Sequence, residues 1–127
     1  MHTDTHFLDI AGRLLIVSCF LITGLSNLTR ARVRDHIDRM RAARTPFPAA
    51  AFWIGIGLQL AGSALLIADW HPAIGAACLI VFIVVATLIF HRFWSMDDAA
   101  KRNSSRINLL GNLAILGGLL LLFENVR

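Results

Sequence analysis

Few residues of this chain have the type and spacing to do chemistry, and most are neutral polar groups set in apolar sequence. Gln59, Asn27, Asn108 and Asn112 carry amides that both donate and accept hydrogen bonds, Thr87 a hydroxyl, His91 a titratable ring, and Trp94 an indole close behind it. Such a set suits hydrogen-bonding and stacking of a small polar headgroup. It does not assemble a hydrolytic or phosphoryl-transfer centre, because the sequence holds no Ser/His/Asp arrangement, phosphate-binding loop or dinucleotide fingerprint. No catalytic residue is therefore assigned.

Metal and haem chemistry are also disfavoured. His71 and His91 flank one apolar run, about 30 Å apart if that run is helical, and no His pair or paired carboxylate lies inside a run. His2 and His6 have metal-capable spacing only on a helical tail. Cys19 and Cys78 each lie within an apolar run, where a thiol behaves as a small packing residue. The expectation is no metal and no intrinsic cofactor.

The elements that must position the amides follow from composition. Of 127 residues, 57% are hydrophobic and only 16% charged, against about a quarter charged in soluble domains, and mean hydropathy is +0.67. Four nearly uncharged runs, 11–28, 50–68, 72–90 and 107–123, each approach the ~20 residues that cross ~30 Å of hydrocarbon. They lack the period-2 alternation of a barrel. The predicted fold is all-α, an integral membrane four-helix bundle forming a single domain over 1–127.

Basic residues fall unevenly around these runs. Arg30, Arg32, Arg34, Arg39, Arg41 and Arg44 lie between the first two, and Arg92, Lys101, Arg102 and Arg106 between the last two. With four spans both loops share a face, which the positive-inside rule makes cytoplasmic, placing both termini on the outer, periplasmic side of the inner (plasma) membrane. The N-terminal segment lacks the basic start of a signal peptide, so the first run is expected to be retained. Arg13, at its outer end, is expected to snorkel to the headgroups.

In the first basic loop Val33, Ile37 and Met40 recur at helical spacing among the arginines. This predicts a short amphipathic surface helix whose arginines meet anionic lipid, ended by Thr45-Pro46-Phe47-Pro48. Asp69, Trp70 and His71 alone separate runs two and three, which predicts a tight antiparallel hairpin. Small and polar residues mark inward faces in lipid: Gly55, Gln59, Gly62 and Ser63 in run two, Thr87 before His91 in run three, and Asn108, Gly111, Asn112, Ile115 and Gly118 in run four. Thr23 and Asn27 share a face of run one. A polar cluster opening to the cytoplasmic side is the result, either as helix packing or as a ligand pocket.

The stretch Thr45-Pro46-Phe47-Pro48, the segment Ala86-Thr87-Leu88-Ile89-Phe90-His91-Arg92-Phe93-Trp94 and the run Asn112-Leu113-Ala114-Ile115-Leu116-Gly117-Gly118 resemble the DoxX family of small bacterial membrane proteins. Gly12-Arg13-Leu14-Leu15 and Gly24-Leu25-Ser26-Asn27-Leu28 fit as well. The resemblance implies a four-helix bundle and, through association with membrane redox assemblies, a place near the quinone pool. Relatives often carry a glutamate where this chain has Gln59 and a lysine where it has Gly111, so an ionic catalytic role does not carry over.

Three functions remain as expectations. The first is a non-catalytic membrane subunit or accessory protein, working as a homo-oligomer or with a partner membrane or redox subunit. The alternative is a quinone-interacting oxidoreductase component, with His91 and Trp94 at the headgroup and electrons delivered by a partner. A more distant third is a small transporter or pore. Membrane lipids are expected partners and nucleic acid is not.

Overall fold

The computed structural model describes residues 7–89 and 98–127 in full and the backbone alone at 2–6 and 90. All regular structure among them is helical: α1 (His2–Ser26), α2 (Arg30–Ala42), α3 (Pro48–Ala68), α4 (Pro72–Phe90) and α5 (Ala99–Val126). Four of these helices contain segments long and apolar enough to cross a membrane, Phe7–Ser26, Pro48–Ala68, Pro72–Ile89 and Ala99–Val126. The molecule is a multi-pass membrane protein.

Local sequence explains most of the helix ends. Thr29 caps α2 by accepting from the Arg32 amide at 3.3 Å, and Asp98 caps α5 by accepting from the Ala100 amide at 3.1 Å. Pro48 opens α3, where its missing N–H is no loss. Phe47, just before it, takes a left-handed φ of 47°, so the chain turns sharply out of the α2 loop. α5 begins eight residues before the expected boundary at 107: Ala99, Ala100, Lys101, Arg102 and Arg106 are good helix formers that extend the helix beyond its apolar part.

The four long helices form a closed ring in the order α1, α3, α4, α5, with the α1–α5 seam the least extensive. The expected hairpin of α3 and α4 is present and is the tightest pairing. It turns at 69–71, where Asp69 and His71 have left-handed φ values of 54° and 49°. Gly62 and Gly75 bring the two backbones together: a Cβ on either would stand 2.8 Å from the other's carbonyl oxygen.

Two apolar clusters fill the ring. One, away from α2, packs Val17, Phe20, Leu66, Leu79, Ile83 and Leu119. The other joins Met40 of α2 to Phe52 and Ile56 of α3, with Val33, Ile37 and Ile89 against it. The stripe on α2 therefore has a protein partner, and the helix leans on α3 and α4 across one end of the ring.

At the opposite end, Arg13 departs from expectation. It does not snorkel freely: Nη1 donates to Asp69 at 2.8 Å and Nη2 lies 3.7 Å from Asp9, with the side chain only 18% exposed. Asp9 in turn accepts from Asn125 of α5. The reason is that Asp69 ends α3 at the same level as Arg13, which supplies a countercharge that a reading confined to the first run does not see. This network ties α1, the hairpin turn and the end of α5.

Candidate functional site: an amide-walled cavity beneath α2

Between the two apolar clusters lies a cavity of about 560 Å³ to which all five helices contribute. Its size falls within the ~300–1,000 Å³ usual for small-molecule sites. Phe20, Phe82 and Ile83 form its side away from α2, with the rings of Phe20 and Phe82 edge to face at 6.1 Å, and Phe52, Ile56 and Met40 form the other. Ile54 and Val81 line it while remaining 65% and 50% exposed, so it opens through the side of the bundle.

Gln59 is the deepest polar group. Eleven residues into α3, it sits ~16 Å along the helix from Pro48 at 1.5 Å per residue, and it is only 1% exposed. Its Nε2 donates to the Phe20 carbonyl at 2.7 Å and to Thr23 Oγ1 at 2.8 Å, clamping α3 to α1. Gly24 permits this approach, since a Cβ there would stand 3.1 Å from the Gln59 side chain. The Phe20 carbonyl can only accept, which fixes the amide orientation and leaves Oε1 buried without a hydrogen-bond partner. Thr23 donates its own hydrogen to the Cys19 carbonyl at 2.8 Å. On α3 itself, Ser63 donates to the Gln59 carbonyl at 2.7 Å, so it braces the turn below.

Across the cavity, Asn112 of α5 donates to Thr87 Oγ1 of α4 at 3.1 Å. Asn112 lines the cavity, and Thr87 positions it from behind. Asn27 lines the α2 end. Of the predicted set, Gln59, Thr87, Asn112 and Asn27 are thus brought together. Asn108 is exposed on α5 one turn before Asn112 and is not in the lining. His91 and Trp94 lie outside the described residues.

Five of the six loop arginines, Arg30, Arg32, Arg34, Arg41 and Arg44, are exposed and away from the cavity. Arg41 pairs with Asp38 at 3.4 Å. Arg39 differs: it pairs with Asp35 at 3.9 Å and also lines the cavity beside His36. Sequence reasoning missed His36, which sits in a charged run that reads as a solvated surface. Its position one residue before Ile37 of the apolar stripe is the signal that could have found it.

A match to the DoxX family spans residues 8–92, which takes in α1 from its second turn through α4. The chain belongs to the DoxX family. This DoxX protein's Gln59, Thr23, Asn27 and Thr87 all lie within the matched range, whereas Asn112 and the rest of α5 lie beyond it. No curated protein and no solved structure matches the chain. Among the described residues no three His, Cys, Asp or Glu side chains cluster in a way that would hold a metal ion.

Proposed function

We propose that this DoxX protein is a membrane subunit of a larger redox assembly, in the inner membrane of a bacterium, and that its cavity holds the headgroup of a quinone. The observation that carries this reading is the cavity itself: apolar on two sides, amide-bearing on the others, and open through the lipid-facing side of the bundle. A quinone reaches its site through hydrocarbon, so a lateral opening suits it better than one to water. Phe20, Phe52 and Phe82 supply ring surface, while Asn27 and Asn112 supply amides able to donate to a headgroup oxygen.

When bound, a quinone would take up two electrons and two protons to become a quinol, or a quinol release them, with a partner subunit delivering or receiving the electrons. This chain's residues bind and orient the ring and keep water from it. By the positive-inside rule the α2 end faces the cytoplasm, so both termini face outward and α2 lies at the inner surface with its exposed arginines toward anionic lipid. The headgroup then sits in the cytoplasmic half of the bundle.

The second reading is an accessory protein without a ligand, in which the amides only pack helices. It is favoured by the Gln59–Phe20, Gln59–Thr23 and Asn112–Thr87 hydrogen bonds, which satisfy much of the polar capacity internally. Native mass spectrometry after mild extraction from the protein's own membrane separates the two. A complex bearing both a redox partner and a quinone mass is expected, and Ala86→Phe, which fills the cavity from α4, should remove the quinone mass. A quinone-free complex would establish the accessory reading.

A further inference from the structure

We infer that the α1–α3 wall of the cavity selects a ligand whose headgroup donates a hydrogen bond, so that the site prefers the hydroxyl-bearing quinol to the quinone. The inference rests on the proposed quinone reading and assigns Gln59 and Thr23 as the residues that set the preference. It follows from counting hydrogens. Gln59 has two N–H groups, and both are engaged, one by the Phe20 carbonyl at 2.7 Å and one by Thr23 Oγ1 at 2.8 Å. Thr23 has one hydroxyl hydrogen, which goes to the Cys19 carbonyl at 2.8 Å. What remains on this wall is Gln59 Oε1, which has no partner, and a lone pair on Thr23.

The wall therefore accepts and does not donate. A quinone carbonyl placed against it meets another acceptor, whereas a hydroxyl satisfies the orphaned Oε1 or Thr23. N–H donors reach the lining elsewhere, from Arg39 and Asn27 at the α2 end and from Asn112, whose second amide hydrogen is not used by Thr87. A hydroxyl can both donate and accept, so a quinol is satisfied against the α1–α3 wall as well as against these donors, and a quinone only against the donors. Because binding then stabilises the reduced form more than the oxidised form, occupancy raises the potential of the bound couple.

The test is the ratio of affinities of decylubiquinol and decylubiquinone for the full chain in lipid nanodiscs, measured anaerobically. Quinol is expected to bind about tenfold tighter, the ratio that one neutral hydrogen bond carries. That ratio corresponds to a rise of ~30 mV in the potential of the bound couple. Gln59→Met and Thr23→Val should each bring the ratio toward one, the first by removing the Oε1 acceptor and the second by removing the hydroxyl acceptor and freeing a Gln59 N–H for a quinone carbonyl. Because the ratio is read first on the unaltered chain, it does not depend on those variants folding. Equal affinities, or tighter binding of the quinone, would overturn the inference and leave the quinone site standing; absence of binding by both forms would overturn the site as well.

Discussion

A single polar side chain in hydrocarbon has to be matched closely, and Gln59 shows how far this chain goes to do so. Its amide reaches α1 only because Gly24 has no side chain, and its donors are spent on a carbonyl and a hydroxyl of one helical turn. The same economy of space governs the hairpin. At Gly62 a Cβ would meet the Gly75 carbonyl oxygen at 2.8 Å and Leu79 at 3.0 Å, while at Gly57, on the same helix, it would meet nothing within 4 Å. Gly62→Ala should accordingly destabilise the protein by about 1–3 kcal/mol, because two backbones must separate, with a clear drop in the melting temperature of the detergent-solubilised chain. Gly57→Ala should be neutral or stabilise by up to ~1 kcal/mol through helix propensity alone. Equal melting temperatures for the two variants would show that the Gly62–Gly75 approach does not hold the hairpin.

Among the elements, α2 is the one whose role depends on what it touches. Its apolar face is seated on Phe52, Ile56 and Ile89, with Met40 only 4% exposed, so protein packing fixes the helix across the end of the ring even without a lipid surface. Its arginines make it a built-in reporter for trypsin. Met40→Ser should release α2 at a cost of ~2 kcal/mol or more, which raises the open population and speeds cleavage in the 30–44 segment of detergent-solubilised protein about 30-fold. An unchanged cleavage rate would mean that lipid, not α3 and α4, holds the helix. The helical period of Val33, Ile37 and Met40 was legible in the sequence, as were the four apolar spans and the α3–α4 hairpin, because length and periodicity are local properties. What the stripe rests on was not legible, since Phe52, Ile56 and Ile89 belong to other helices. The Arg13–Asp69 pair, 56 residues apart, was hidden for the same reason. Gln59 was singled out because a deep amide in an apolar run demands a partner, but its partners on α1 became visible only once the ring order was known.

For the molecule as a whole, the two ends of the bundle are chemically different, and the difference dictates how it sits in a membrane. The α2 end gathers most of the cations, with Arg30, Arg32, Arg34, Arg39, Arg41 and Arg44 around α2 and Lys101, Arg102 and Arg106 on the polar start of α5. The other end compensates its charge: Arg13 is held between Asp9 and Asp69, and Arg127 is paired with Glu124 at 2.7 Å. Lys and Arg near the span ends set orientation, and the nine named at the α2 end against Arg13 and Arg127 at the other hold the α2 end at the anionic inner leaflet by about 1 kcal/mol each. Both termini should therefore lie outside the cytoplasm. Alkaline phosphatase fused after Arg127 or inserted at Trp70 should be active, and phosphatase inserted at Arg44 should be inactive, with a fluorescent protein giving the reverse pattern. An active insertion at Arg44 would invert the molecule and move the mouth of the cavity beneath α2 to the outer leaflet. Any electron-transferring partner would then have to approach from outside.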